Sequence, residues 1–322
     1  MSLLASLRET SPPSVAVELA SHRVSAAALD MRGGQPVVSA HASEPLPAGA
    51  LVPSLTGVNV QDRATLVGAL GRVLDRLGGR PRRIGLVIPD PVAKVSLVRF
   101  VRVPARSPDL DELVRWQVRK TSPFPIEDAQ VSYVQGLHAE DGQEFIVATA
   151  RRAAIEEYEG LCAEVGSHAG LVDLATFNII NAVLAGSPRA ESTGDWLLVN
   201  VAPDYASIAI VRGEQLIFFR NRASDTDGTV ADLVHQTAMY YEDRLKGAGF
   251  SAVVLAGASG TPEQSAEAEE IRRGLEQRLG VAVAAVDPRT AAALTDRIAA
   301  APALLDTLAP LVGLLLRARR TA

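Results

Sequence analysis

Few residues in this 322-residue chain have the types and spacing that would predict catalysis. Lysine occurs only at Lys94, Lys120 and Lys246, and no GxxxxGK(S/T) sequence is present, so a P-loop nucleotide site is excluded. The single cysteine, Cys162, lies in a predicted helix, and no motif places a histidine or an acid beside it. The five histidines lack the spacing of zinc ligands. The sequence therefore favours a buried thiol over a nucleophile and argues against a zinc site.

The composition indicates a chain of at least two domains. Its 322 residues exceed the size at which one hydrophobic core usually keeps growing, and 48% of them are hydrophobic. The formal net charge of -5, with both signs interspersed, argues against a general nucleic-acid binder, which needs a basic face. A single cysteine suits a reducing compartment, and no apolar run approaches the ~18 residues of a membrane-spanning helix. We therefore expect a cytoplasmic protein.

A triplet of predicted strands occurs twice in the sequence. Residues 195–220 contain three short apolar strands separated by two tight turns, and residues 15–41 repeat this arrangement. Each triplet is followed by a helix with apolar residues at helical spacing and then by an apolar strand. These helix and strand pairs are residues 63–77 with 84–88 and residues 229–245 with 252–256. The repeated ββαβαβα order predicts a duplicated α/β fold.

A small module interrupts the first half. Residues 92–150 read as a strand, a helix and two further strands, and the predicted helix over residues 110–120 ends before a Pro-Phe-Pro sequence at Pro123 to Pro125. This order differs from that of the flanking repeat, so we interpret the module as an insertion. The predicted parts are an N-terminal tail (1–13), a first half (14–194) that includes the inserted subdomain (92–150), and a second half (195–322).

Several stretches resemble the actin-like proteins of the PilM and FtsA families. Residues 15–21 stand where these families have a strand ending in the first phosphate-binding turn, and residues 200–204 stand at the second turn. Residues 116–129 are similar to a helix, a Pro-Phe-Pro sequence and an acidic turn in the PilM inserted subdomain, and residues 215–220 and 313–317 resemble further PilM segments. The resemblance implies two duplicated actin-like (ribonuclease-H-like) halves around a central cleft, with a small α+β subdomain inserted in the first half.

The resemblance also implies a cleft for ATP and Mg²⁺. Backbone N–H groups of the two turns would contact phosphate oxygens, and an Asp at each strand end would hold Mg²⁺ or its waters. Here Glu18 and Asn200 replace the two Asp residues, and alanine replaces the glycine of each turn. We therefore predict weak or lost ATP binding, no catalytic residue and no metal ligand. The residues expected at the nucleotide site are Glu18, Ser21, Arg23, Asn200, Asp204, Gly257 and Gly260.

The function that the resemblance implies is the binding of a partner. The N-terminal tail of an inner-membrane PilN-like protein would dock between the inserted subdomain and the rest of the first half, within a type IV pilus assembly machine. The protein would then be cytoplasmic and peripheral at the inner membrane, with no span of its own and no nucleic-acid partner. Alternatives are an active actin-like ATPase, a kinase of the same fold, and the cytoplasmic domain of a type II secretion L-like protein. The basic residues of the subdomain are either solvated or available to polar groups of the tail: Arg99, Arg102, Arg115 and Arg119.

Both ends of the chain carry apolar helical patterns. The apolar pattern of residues 1–13 predicts a two-turn helix. This helix is either a frayed tail or a tip that touches a membrane. Residues 304–320 place leucines on one helical face and end in arginines, which suits either an amphipathic membrane helix or a packed last helix. The similarity to the last helix of PilM favours packing.

Overall fold

The computed structural model describes residues 12–139, 141–186, 194–224, 228–258, 262–296 and 298–320. The strands in these residues are β1 (Val15–Ala20), β2 (Arg23–Arg32), β3 (Gln35–Pro45), β4 (Arg83–Ile88), β5 (Ala93–Phe100), β6 (Ala129–Ala139), β7 (Gly142–Arg151), β8 (His168–Leu174), β9 (Asp195–Val201), β10 (Tyr205–Arg212), β11 (Gln215–Ala223), β12 (Ala252–Ala256), β13 (Val283–Ala285) and β14 (Ala293–Leu294). The α-helices are α1 (Arg63–Arg76), α2 (Ser107–Arg119), α3 (Arg152–Glu164), α4 (Ala175–Gly186), α5 (Val230–Leu245), α6 (Pro262–Leu279) and α7 (Pro302–Arg320).

The two large sheets repeat one topology. The first has the strand order β14-β3-β2-β1-β4-β8, and the second has the order β11-β10-β9-β12-β13. In both, three antiparallel strands are joined to a parallel strand: β1 pairs with β4, and β9 pairs with β12. The predicted duplication is therefore confirmed, and it brings the turn after β1 and the turn after β9 to corresponding positions.

Alternating residues of β1 fill cores on both faces of the first sheet. Val15, Val17 and Leu19 belong to a core that contains side chains of α1 and α3. Ala16 faces the opposite core, which contains side chains of α7. A strand covered on both faces is expected to read as a continuous apolar run, as β1 does.

The last helix returns to the first half of the chain. Leu308, Leu311 and Leu315 of α7 are fully buried against the first sheet, and β14 pairs in parallel with β3. Helix α7 also packs on α4, where a Cβ added at Gly313 would overlap the carbonyl oxygen of Asn178. From chain order, residues 293–320 are expected to belong to the second half. In the structure, their apolar side chains cover the first sheet. These buried leucines agree with a packed last helix.

The inserted subdomain is a sheet covered by a helix on one face only. Its strand order is β5-β7-β6. Phe145 and Val147 of β7 pack with Val114 and Val118 of α2 in a separate core, against which Phe124 is partly buried. The subdomain lies between β4 and α3, so the predicted insertion is confirmed. Its second face carries Ile146 and Ala148 and is left uncovered by any helix of its own.

Two sequence-based predictions concern membrane contact. Residues 1–11, which include nearly all of the predicted N-terminal tail, lie outside the described residues. Among the residues that the structure describes, no helix is long and apolar enough to cross a membrane.

Candidate functional site

The two hairpin turns meet across the cleft and bond to each other. Ser21 Oγ, after β1, donates a hydrogen bond to Asp204 Oδ1, after β9, at 2.9 Å. Burial raises the pKa of Asp204, and the hydroxyl of Ser21 opposes that rise. This contact joins the first half to the second at the position where the resemblance implies phosphate.

Arg23 is bonded to protein groups rather than directed into open space. Its Nη2 atom pairs with Glu18 Oε2 at 2.9 Å, and its Nε atom donates to Ser25 Oγ at 3.1 Å. Its Nη1 atom lies 2.6 Å from His22 Nε2. Burial, followed by the charge of Arg23, lowers the pKa of His22 to about 4. At neutral pH the imidazole is therefore uncharged and accepts a hydrogen bond from Arg23.

Asn200 belongs to a buried hydrogen-bond network centred on Asp90. Asn200 Nδ2 donates to Thr176 Oγ1 at 2.9 Å, and the Thr176 hydroxyl donates to Asp90. The arrangement is repeated on the other side, because Asn221 Nδ2 donates to Ser207 Oγ at 2.9 Å and Ser207 donates to Asp90 Oδ2 at 2.5 Å. Thus each hydroxyl accepts from an amide and donates to the carboxyl group.

Asp90 itself is fully buried. Burial raises its pKa, and its hydrogen bonds from Ser207 and Thr176 act in the opposite direction. An Asp at position 200 could not donate to Thr176, since an ionised carboxylate only accepts hydrogen bonds. Asn200 therefore has a structural reason to be an amide, independent of any ligand.

Gly257, which follows β12, is the third part of the cleft and contacts α7. The backbone N–H of Gly257 donates to Asp306 Oδ1 at 3.1 Å. Gly257 has a φ of 76°, and a Cβ there would overlap the carbonyl oxygen of Val201, so only glycine fits this position. Gly260, the remaining expected site residue, lies outside the described residues.

The cavity that the two turns and Gly257 line is too small for a nucleotide. Its volume is about 40 Å³, whereas ligand pockets typically measure about 300–1,000 Å³. Glu18, Ser21, Arg23, Asn200, Asp204 and Gly257 all line it, so the structure brings together six of the seven expected residues. Among the residues that the structure describes, no group of three or more His, Cys, Asp or Glu side chains could hold a metal ion. The residues present do not fit ATP and Mg²⁺ in this arrangement.

A much larger groove lies between the inserted subdomain and the first half. Its volume is about 700 Å³. Val134, Ile146 and Ala148 form one side, on the face of the subdomain sheet opposite α2. Leu171 and Leu174 of β8 line the other side, together with Phe177 and Ile180 of α4. Apolar side chains therefore line both sides of the groove.

Two sheet edges border this groove. β8 is the last strand of the first sheet, and β6 is the last strand of the subdomain sheet. Consecutive residues line the groove in both strands, 169–174 in β8 and 132–135 in β6, as expected where a strand edge and not only one face is accessible. An edge strand presents N–H and C=O groups that can pair with another chain.

The charged residues of the groove differ from the basic set considered from the sequence. Asp173 of β8 pairs with Arg317 of α7, and burial raises the pKa of Asp173 while Arg317 opposes the rise. Glu156 and Glu159 of α3 and Glu214 in the β10–β11 turn also line the groove.

None of the four arginines considered from the sequence lines this groove. Arg99 forms ion pairs with Asp141 at 2.8 Å and Glu144 at 2.9 Å. Arg115 donates to the carbonyl oxygen of Ile126 at 3.5 Å. β5 is the opposite edge of the subdomain sheet from β6, and α2 covers the opposite face. Side chains of β6 and β7 alternate between the α2 face and the groove face of the subdomain sheet. This alternation is the one local signal that could have located the groove.

Comparisons with known proteins agree with this architecture. A sequence profile of the family described as "Type IV pilus assembly protein PilM" matches residues 16–243. A search of curated proteins by sequence returned no match. Among solved structures, the chain is similar to one described as the "PilM-PilN type IV pilus biogenesis complex", with a TM-score of 0.78 and 18% identity over 95% of this chain and 98% of that chain.

Two further solved structures are similar to the chain at lower TM-scores. A Bacteroides thetaiotaomicron protein with actin-like ATPase fold and unknown function has a TM-score of 0.49 and 10% identity, covering 96% of this chain and 95% of that chain. The ethanolamine utilization protein EutJ from Carboxydothermus hydrogenoformans has a TM-score of 0.49 and 11% identity, covering 96% of this chain and 90% of that chain. The profile match covers well over half of the sequence and the strand order is that of two actin-like halves, so the chain belongs to the type IV pilus assembly protein PilM family.

Proposed function

We propose that this protein is a scaffold of type IV pilus assembly that binds the N-terminal cytoplasmic segment of an inner-membrane PilN-like protein in the groove. Membership of the PilM family supports the role in pilus assembly, and the similar solved complex contains PilN. The observation that carries the proposal is the groove of about 700 Å³ beside a cleft of about 40 Å³. Binding places the protein at the cytoplasmic side of the inner membrane through its partner.

The groove has the properties that an extended peptide requires. The edges of β6 and β8 offer backbone hydrogen bonds, and alternate side chains of an added strand would point toward the two walls. Ile146 on one wall and Phe177 on the other provide apolar surface. Backbone pairing provides affinity, and these surfaces favour apolar side chains at alternate positions of the peptide.

We also propose that nucleotide binding is weak or lost, so that the protein is not an active ATPase. Ser21 bonds to Asp204, Arg23 to Glu18, and the N–H of Gly257 to Asp306. A nucleotide would have to displace all three contacts and widen a cavity of about 40 Å³. Each displaced buried partner costs about 1–3 kcal/mol unless the ligand replaces its hydrogen bond.

A calorimetric titration with a filled-groove variant tests the peptide site. The ligand is a synthetic peptide of the N-terminal cytoplasmic residues of the PilN-like protein from the same genome. The wild type is expected to bind it saturably. Ala148→Trp places an indole in the groove and is expected to weaken binding by about tenfold or more, because the wall cannot accommodate both groups.

The control is Ala284→Trp, at an exposed position of β13 far from the groove. It is expected to bind the peptide as the wild type does. Absence of saturable binding to the wild type at high micromolar peptide, or equal affinities of the wild type and Ala148→Trp, would contradict the proposed site.

A further inference from the structure

The carboxylates that helix α3 presents to the groove have no partner among the described residues. Glu156 and Glu159 are three positions apart, so they lie on one face of the helix, and both are exposed at the groove wall. Other acids of the same helix are paired: Glu157 accepts hydrogen bonds from the backbone N–H groups of Asn59 and Val60, both at 2.8 Å, and Glu164 pairs with Arg63. The unpaired acids of α3 are therefore the two that face the groove.

The groove as a whole has negative charge. Among the described residues, four carboxylates and two guanidiniums line it, and one of those guanidiniums, Arg317, already pairs with Asp173. The other, Arg152, donates to the carbonyl oxygen of Ala129 at 3.3 Å. Of the four carboxylates, Glu156, Glu159 and Glu214 are exposed. An occupant with basic side chains would balance this charge, and an acidic occupant would be repelled.

We infer that Glu156 and Glu159 bind a lysine or arginine side chain of the peptide and select a basic segment over a neutral or acidic one of similar hydrophobicity. This inference rests on the proposed function, which makes the occupant the cytoplasmic flank of a membrane span. Such flanks carry an excess of Lys and Arg. The apolar side chains on the two sides of the groove bind hydrophobic side chains of the peptide, and Glu156 and Glu159 determine the sign of the charge beside them.

The exposure of these carboxylates determines how the effect should be measured. Exposed ion pairs contribute little to affinity individually and are screened by salt. Their main effect is on the rate of association and on the choice between partners. Charge selection should therefore appear as a salt-dependent affinity difference between peptides.

A charge-exchange experiment tests the inference. The double variant Glu156→Lys/Glu159→Lys is expected to bind the PilN-like peptide about tenfold more weakly than the wild type at low ionic strength, with a smaller difference at high salt. A second peptide, with every Lys and Arg replaced by Glu, is expected to bind this variant more tightly than it binds the wild type. The control Glu242→Lys/Asp243→Lys makes the same change of charge at exposed positions of α5, outside the groove, and should bind as the wild type does.

The outcomes separate this inference from the function on which it rests. Saturable binding to the wild type with an unchanged affinity in the Glu156→Lys/Glu159→Lys variant would overturn the charge selection and leave the peptide site intact. Failure of the wild type to bind either peptide would overturn the proposed function together with the inference. Melting temperatures of both double variants should match that of the wild type, since all four substituted side chains are exposed.

Discussion

Polar groups of the cleft bond to one another, whereas several polar groups of the groove remain exposed. In the cleft, Ser21 and Asp204 bond to each other across the two halves, and a cavity of only about 40 Å³ remains. In the groove of about 700 Å³, Glu156 and Glu159 remain exposed, and the edges of β6 and β8 are accessible. Polar groups that bond within the fold stabilise it, whereas groups left exposed beside apolar surface are available to a ligand.

The proposed loss of nucleotide binding is compatible with an intact actin-like fold. The duplicated sheets bring the two turns together whether or not a phosphate lies between them. In this chain the substituted residues bond to protein groups, as Glu18 does with Arg23 and Asn200 does with Thr176. The inserted subdomain meanwhile provides one wall of a groove that the two halves alone do not have.

The largest effect is expected from removing the buried carboxyl group at the centre of the cleft network. Asp90→Ala leaves the hydroxyls of Thr176 and Ser207 without their shared acceptor in the interior. We expect the free energy of unfolding to fall by about 3 kcal/mol or more, measured by chemical denaturation. Peptide affinity should change much less, because Asp90 does not line the groove.

Asp75→Ala is the matched control for this variant. Asp75 is an exposed aspartate whose partner is Arg80 at the surface, so its loss should change stability little. Equal stabilities of the Asp90→Ala and Asp75→Ala variants would contradict a stabilising role of the buried network.

A smaller effect is expected from the pH dependence contributed by His22. Its pKa is lowered to about 4 by burial and by the charge of Arg23, from an ordinary value of 6.5. The unfolded chain therefore takes up a proton at a higher pH than the native state does. Native stability should fall as pH decreases from about 6.5 to about 4, by on the order of 2 kcal/mol from this residue.

The His22→Gln variant isolates that contribution. Glutamine can accept the hydrogen bond of Arg23 but does not titrate, so the variant should lose stability less steeply than the wild type over this pH range. Parallel stability curves for the two proteins would contradict the assignment. The same residue reports on the cleft, because a phosphate bound beside His22 would raise its pKa in an NMR titration.

Much of the fold followed from local sequence patterns. The strand at residues 252–256 has the predicted bounds, and the helix predicted at residues 63–77 ends one residue earlier, because each has a recognisable composition or periodicity. β14 was missed, since the two residues Ala293 and Leu294 carry no periodicity and pair in parallel with a strand far away in the sequence. The position of α7 also depends on long-range packing that its own amphipathic pattern does not specify.

The sequence predicted which residues lie together at the cleft, but not the hydrogen bonds that they make to one another. Six of the seven expected residues line one cavity, which the two strand triplets and their turns indicated. Closure of that cavity depends on pairs such as Ser21 with Asp204, which are 183 positions apart, and no local pattern predicts them. The charge of the groove was not predicted. Arg99 and Arg115 bond to a carboxylate and a carbonyl group within the subdomain. The exposed acids of the groove come instead from α3 and from the β10–β11 turn, both outside the subdomain.

Amide hydrogen exchange with each ligand in turn is the most direct test that the groove, and not the cleft, is the binding site. With saturating PilN-like peptide, we expect slower exchange in β6 and β8, where edge N–H groups become paired or covered. With millimolar ATP and Mg²⁺, we expect no change in residues 18–23 or 200–204. Protection of those two turns by ATP, with no protection of β6 or β8 by the peptide, would contradict the account.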